Sequence, residues 1–291
     1  MSPVRWRIPV GLMAVLLLAW LLAAGPAVAD SREDQLGQAW AAFDAGDDAK
    51  ARALFESLAS EGDAEANYGL GLMESSGRGA PRNDAAAAAH FSAAANAGFP
   101  AAQDALGYAY DFGLGLPLNR DLAEYWYQRA TEGGEINAKN NLAYSWIDSG
   151  RNIDQALTML QDVLSAAPQE PAYLDSYGWA LYQLRRYPEA LHYLCDAAMR
   201  DPGHPEVQAH LGDAFWQLGE TSQAVQQWQR ALDLADRPDE LSDNGADFLN
   251  GFGLKAWKND LLGRLMRAGN RAGPAADAVP LPTACNEPPI S

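Results

Sequence analysis

Apolar residues along most of the chain fall three and four positions apart, the spacing of one helix face. Short turns of Gly, Asn, Asp and Pro separate the apolar segments. Runs rich in Val, Ile and Thr, which suit a pleated sheet, are nearly absent, whereas Ala, Leu, Gln and Glu abound. The pattern predicts an all-α protein. It also recurs. Gly71, Gly107, Ala143, Gly178 and Gly212 lie 36, 36, 35 and 34 residues apart, each directly after a large apolar residue (Leu70, Leu106, Leu142, Tyr177, Leu211). A small residue there lets a second helix approach closely. In the last two repeats another small residue, Ala190 and Ala224, follows 12 positions later, and Leu194 and Trp228 come next. Such a unit is a helical hairpin too small to bury its own apolar stripe, so the hairpins must stack.

The turns carry a second signature. "GRGAPRNDA" begins at Gly77 and "GLGLPLNRD" at Gly113, 36 residues on. A phosphate-cradling loop would need a lysine and a Ser or Thr directly after its last glycine, and neither copy has them. The motif instead predicts a helix-to-helix turn. Gly supplies a positive φ where one helix ends, and Pro with Asn or Asp starts the next.

"LDSYGWALYQLRRYPEALHYLCDAAMRDP" and "VQAHLGDAFWQLGETSQAVQQWQRALDL" resemble tetratricopeptide repeats. "AEANYGLGLMESSGRGAPRNDAAAAAHFSAAANAG" and "AAQDALGYAYDFGLGLPLNRDLAEYWYQRATEGG" resemble Sel-one-like repeats, which have a longer turn with a G-x-G signature. The resemblance implies a right-handed α-solenoid of about six hairpins. The chain then divides into an N-terminal helical repeat over 30–61, two Sel-one-like repeats over 62–134 and three tetratricopeptide-like repeats over 135–235. A capping region over 236–268 follows, in which Leu254–Arg267 forms an amphipathic helix, and then a Pro- and Ala-rich tail over 269–291 expected to be disordered.

The first 29 residues stand apart from this pattern. Arg5 and Arg7 precede an apolar run from Ile8 to Ala24, followed by Gly25-Pro26 and the small-x-small triplet Ala27-Val28-Ala29. This reads as a secretory signal cleaved after Ala29, with a retained inner-membrane anchor as the rival. The expected location is therefore periplasmic or secreted, with no stable membrane insertion after cleavage. The whole chain carries a formal charge of −17, and the two signal arginines make the remainder more acidic still. That balance excludes nucleic acid as a partner; it would attract a basic one or simply keep the chain soluble, the commoner reason for such a charge. The two cysteines, Cys195 and Cys285, permit one disulfide that would pin the tail along the stack.

No catalytic constellation is found. "SDN" at 242–244 lacks the companion motifs of a penicillin-recognising site. The acidic "DAGDDAKARALFE" from Asp44 places its glycine third and a Phe where a calcium loop needs Glu. His204, Glu206 and His210 are read as surface residues and not as a metal site. Neither cofactor nor metal is expected.

In solenoids of the resembled type, the first helix of each hairpin lines the concave surface. The resemblance therefore points to a groove formed by Tyr108, Tyr144, Asp175, Trp179, Tyr182, Asp213 and Trp216, an aromatic row flanked by carboxylates. The family's basic clamp for a free carboxylate is missing. The expected function is an exported, non-catalytic scaffold or adaptor that binds a protein or peptide in this groove during cell-envelope assembly or signalling. Two other classes stay open: a stoichiometric, immunity-type inhibitor of an effector enzyme, and an envelope enzyme acting on glycan.

Overall fold

The computed structural model describes residues 31–237, 254–269 and Cys285. The segment read as a secretory signal, the SDN triplet and the rest of the tail lie outside the described residues. The chain divides into two compact units, Met1–Ala97 and Gly98–Ser291.

The first unit holds α1 (31–44), α2 (Asp48–Ser60), α3 (Ala64–Ser76) and α4 (Asp84–Asn96). Its helices begin where the sequence places a capping side chain. Asp47, Asp63 and Asn83 each accept from a backbone N–H of the first turn. Helix α3 ends at Gly77 in the left-handed conformation, as the G-x-G turn requires. Leu36, Phe55, Leu58, Leu70 and Met73 form the core of α1–α3, with Trp40 and Phe43 packed against it. The acidic segment from Asp44 is an inter-helix turn through Gly46, whose φ is 74°.

The second unit contains four hairpins. They are α5 (Pro100–Phe112) with α6 (Arg120–Glu132), α7 (Ile136–Asp148) with α8 (Ile153–Ala166), α9 (Pro171–Gln183) with α10 (Tyr187–Arg200), and α11 (Pro205–Gln217) with α12 (Thr221–Asp236). The small residues of the 36-to-34-residue period lie at the hairpin contacts. A Cβ on Gly107 would meet Tyr127 at 2.7 Å, one on Gly178 would meet Leu194 at 2.7 Å, and one on Gly212 would meet Trp228 at 2.5 Å. Glycine at these positions is therefore a packing requirement, even though each lies mid-helix, where glycine costs about 1 kcal/mol relative to alanine. Tyr127, Leu160, Leu194, Leu211 and Phe215 are fully buried along the stack.

The first helices α5, α7, α9 and α11 also touch one another in order, forming one layer. A last helix, α13 (Leu254–Gly269), packs on α12 and buries Leu261 and Ala268. Cys195 on α10 is bonded to Cys285, with S–S 2.11 Å and Cα atoms 5.2 Å apart. The described residues are therefore all-α, and within each unit consecutive helical hairpins pack on one another as in an α-solenoid.

Candidate functional site

The layer of first helices curves inward. The Tyr144 hydroxyl on α7 donates to Glu206 Oε1 on α11 at 2.7 Å, across the intervening α9. Two helices that flank a third can meet above it only if the layer is concave on that side. The seven residues expected in the groove all lie on this face, but they divide between two clefts.

The first cleft, about 230 Å³, runs across α5, α7, α9 and α11 and includes Tyr108, Asp111, Asn140, Tyr144, Asp175 and Glu206. The second, about 280 Å³, lies between α9, α11, α12 and α13 and includes Trp179, Tyr182, Asp213, Trp216, Trp228 and Arg264. Between them runs a ladder of rings. His210 stacks on Trp179 (centroids 4.1 Å apart, planes 13° apart), and Trp179 stacks on Tyr182 (4.7 Å, 8°). Trp179 and Tyr182 sit one turn apart on α9, and His210 comes from α11, so the ladder joins adjacent repeats. Trp179, Tyr182 and Trp216 are partly buried.

The expected picture of carboxylates standing ready beside the rings needs correction. Asp175 is 5% exposed and pairs with His210 Nδ1 at 2.9 Å. Asp213 is 7% exposed, accepts from Trp228 Nε1 at 2.9 Å and forms an ion pair with Arg264 of α13. A carboxylate in so dry a setting must be compensated locally, and both are compensated from within the chain. Burial works against charge on His210, but the Asp175 carboxylate, with Glu206 and Asp213 beyond it, pushes its pKa up to about 9. The imidazole is therefore a cation at neutral pH. Burial first, and Glu206 and Asp175 after it, push the Tyr144 phenol well above its usual range, so Tyr144 remains a donor.

Two carboxyls near the first cleft are also raised, which for an acid favours the neutral form. Burial pushes Asp104 up to about 7, partly offset by the hydrogen bond it accepts from Asn141 Nδ2 at 2.9 Å. Burial likewise pushes Asp111 up to about 6, against the pull of Arg120 3.9 Å away. Asn140, which lines the cleft, is 6% exposed, and its Oδ1 is buried with no hydrogen-bond partner among the described residues. The buried Trp179 Nε1 has none either.

His210, Glu206 and Arg264 are the site residues that sequence reasoning missed. His210 is not a surface residue. It lies 35 residues after Asp175, one repeat period, and that spacing was the available signal. His204 caps α11, accepting from Val207 N at 3.4 Å. Among the described residues, no group of three or more His, Cys, Asp or Glu is placed to hold a metal ion.

Comparison with known proteins agrees with this architecture. A family model described as Sel1 repeat matches residues 64–99 and 100–135, and one described as tetratricopeptide repeat matches 35–61. A stretch of 74 residues is 36% identical to a TPR repeat-containing protein of Pseudomonas aeruginosa; it is 25% of this chain and only 12% of that protein's length. Among solved structures, a protective antigen of uropathogenic Escherichia coli displaying an SLR fold is similar over 79% of this chain and 53% of its own, at 20% identity and a TM-score of 0.50. A Sel1 repeat protein from Oxalobacter formigenes is similar over 74% of this chain and 97% of its own, at 21% identity and a TM-score of 0.49.

Proposed function

We propose that this chain, a Sel1 and tetratricopeptide repeat protein, is an exported adaptor of the cell envelope that holds a partner protein on the concave face of α5, α7, α9 and α11. Repeats of these two types serve as protein-interaction scaffolds. The observation that carries the reading is the ring ladder and its two flanking clefts, the first of which is also lined by Asp111 and Glu206. Aromatic rings supply contact area at small cost in side-chain entropy, and the carboxylates of the first cleft steer a basic partner. Export is supported by the N-terminal pattern of Arg5, Arg7 and the apolar run. It is supported also by the Cys195–Cys285 bond, since structural disulfides persist in oxidising compartments.

The test is photocrosslinking in the envelope of the source cell. A photoreactive phenylalanine at Tyr108, in the cleft, should give one dominant protein adduct. The same probe at Gln155, exposed on the second helix α8, should give none. Trp179→Ala with Trp216→Ala should weaken capture by more than ~2 kcal/mol while helical circular dichroism persists. Adducts from Gln155 alone would refute the concave-face reading. Mass spectrometry of the same material should place the N-terminus at Asp30. The acidity of the chain also favours the inhibitor reading, in which the adduct is a basic enzyme that loses activity at one-to-one stoichiometry.

A further inference from the structure

We propose that the first cleft receives the arginine side chain of a basic segment of the partner, an assignment that rests on the concave-face reading above. At about 230 Å³ the cleft is smaller than the ~300–1,000 Å³ typical of small-molecule sites, and suits a single side chain. Asn140 lines it, and the buried Oδ1 of that side chain has no partner among the described residues. An unsatisfied buried acceptor is costly, and turning the amide so that a ligand N–H meets its oxygen removes the cost. The walls supply anionic acceptors from two sides. Glu206 on α11 has its Oε1 held by the Tyr144 hydroxyl, and Asp111 on α5 has the largely exposed Arg120 3.9 Å away.

Rings complete the enclosure. Tyr108 and Phe112 lie with centroids 4.4 Å apart, and Tyr144 stands on the facing helix α7. A planar guanidinium has five N–H donors for dispersed acceptors and a face that stacks on aromatic rings. A compact ammonium serves such a set less well. The second cleft shows that this face accepts the chemistry. There the chain's own Arg264 places its guanidinium on the buried Asp213, beside Tyr182, Trp216 and Trp228.

The test uses the full chain, 15N-labelled, titrated with an acetylated and amidated pentapeptide whose central residue, between alanines, is arginine, citrulline or lysine. Citrulline keeps the shape of arginine and loses the charge. The arginine peptide should shift the Asn140 side-chain amide and backbone signals of α7 and α11, and bind about tenfold or more tighter than the citrulline peptide, the worth of a charge-assisted hydrogen bond. Glu206→Gln still accepts from Tyr144 and therefore folds, and it should weaken the arginine peptide about tenfold while leaving the citrulline peptide unchanged. Citrulline or lysine peptides that match arginine in this cleft would overturn the arginine assignment and leave the concave-face reading standing. Shifts confined to α6, α8, α10 and α12 with every peptide would overturn both.

Discussion

Replacing His210 by glutamine tests the electrostatic joint between adjacent repeats. The imidazole is 7% exposed, lies 2.9 Å from the Asp175 carboxylate and carries a pKa raised from 6.5 to about 9. Its folded value is above its unfolded value, so the folded state keeps a proton that the unfolded chain releases. The resulting stability is fully present below pH 6.5, declines from there to about pH 9, and is lost above that. At ~1.4 kcal/mol per unit the whole effect is roughly 3 kcal/mol. Burial screens this site from solvent, so little discount applies.

The glutamine variant leaves Asp175 buried without its counter-charge, which should cost about 3–5 kcal/mol near pH 6. The penalty should shrink at alkaline pH, where the wild-type imidazole has also lost its charge. Asp175→Asn combined with His210→Gln removes both charges while keeping similar shapes, and should recover most of the loss. The assay is urea unfolding of the three proteins at pH about 6 and about 9.5, followed by circular dichroism. Asp104 and Asp111 also contribute stability that is lost as pH rises, from about pH 4 to about 7 and about 6 respectively, and they do so in all three proteins. The difference between wild type and His210→Gln therefore isolates the histidine. Parallel pH profiles for those two proteins would refute the ion pair as a stabilising element.

Other perturbations have defined outcomes. In Gly212→Ala the new Cβ falls 2.5–2.6 Å from the Trp228 indole, whose Nε1 must then move from Asp213; unfolding should show a net loss of about 1–3 kcal/mol. Gly37→Ala in α1 meets nothing within 4 Å and should instead stabilise by ~1 kcal/mol through helix propensity. Asp104→Asn keeps an acceptor for Asn141 and removes a buried charge, so calorimetry should show a gain of ~1–3 kcal/mol well above pH 7 and none at acid pH, where Asp104 is already neutral. Cys285→Ser opens a link between residues 90 positions apart and should lower stability by about 2–5 kcal/mol in urea unfolding without reductant.

The periodic elements were legible in the sequence because they depend on local and nearest-neighbour rules. Gly71, Gly107, Gly178 and Gly212 recur because the facing helix brings Phe91, Tyr127, Leu194 or Trp228 to within 2.4–2.7 Å of where a Cβ would stand, so steric demand writes the repeat into the chain. Gly77 and Gly113 recur because a left-handed residue ends those helices. The position of Leu254–Gly269 as a separate amphipathic helix was legible for the same reason. The site was legible only in part. The family resemblance, with the repeat spacing, put Tyr108, Tyr144, Asp175, Trp179, Tyr182, Asp213 and Trp216 on one face, but not their division into two clefts. That division depends on curvature, which brings Glu206 of α11 to Tyr144 of α7 over 62 positions of sequence. Whether Asp175 and Asp213 stand open or are already neutralised depends on His210 and Arg264, which arrive 35 and 51 positions later. A charge's partner across a curved stack is fixed by the angle at which each hairpin packs on the next. That angle is the sum of many side-chain contacts, and no local pattern of residues encodes it.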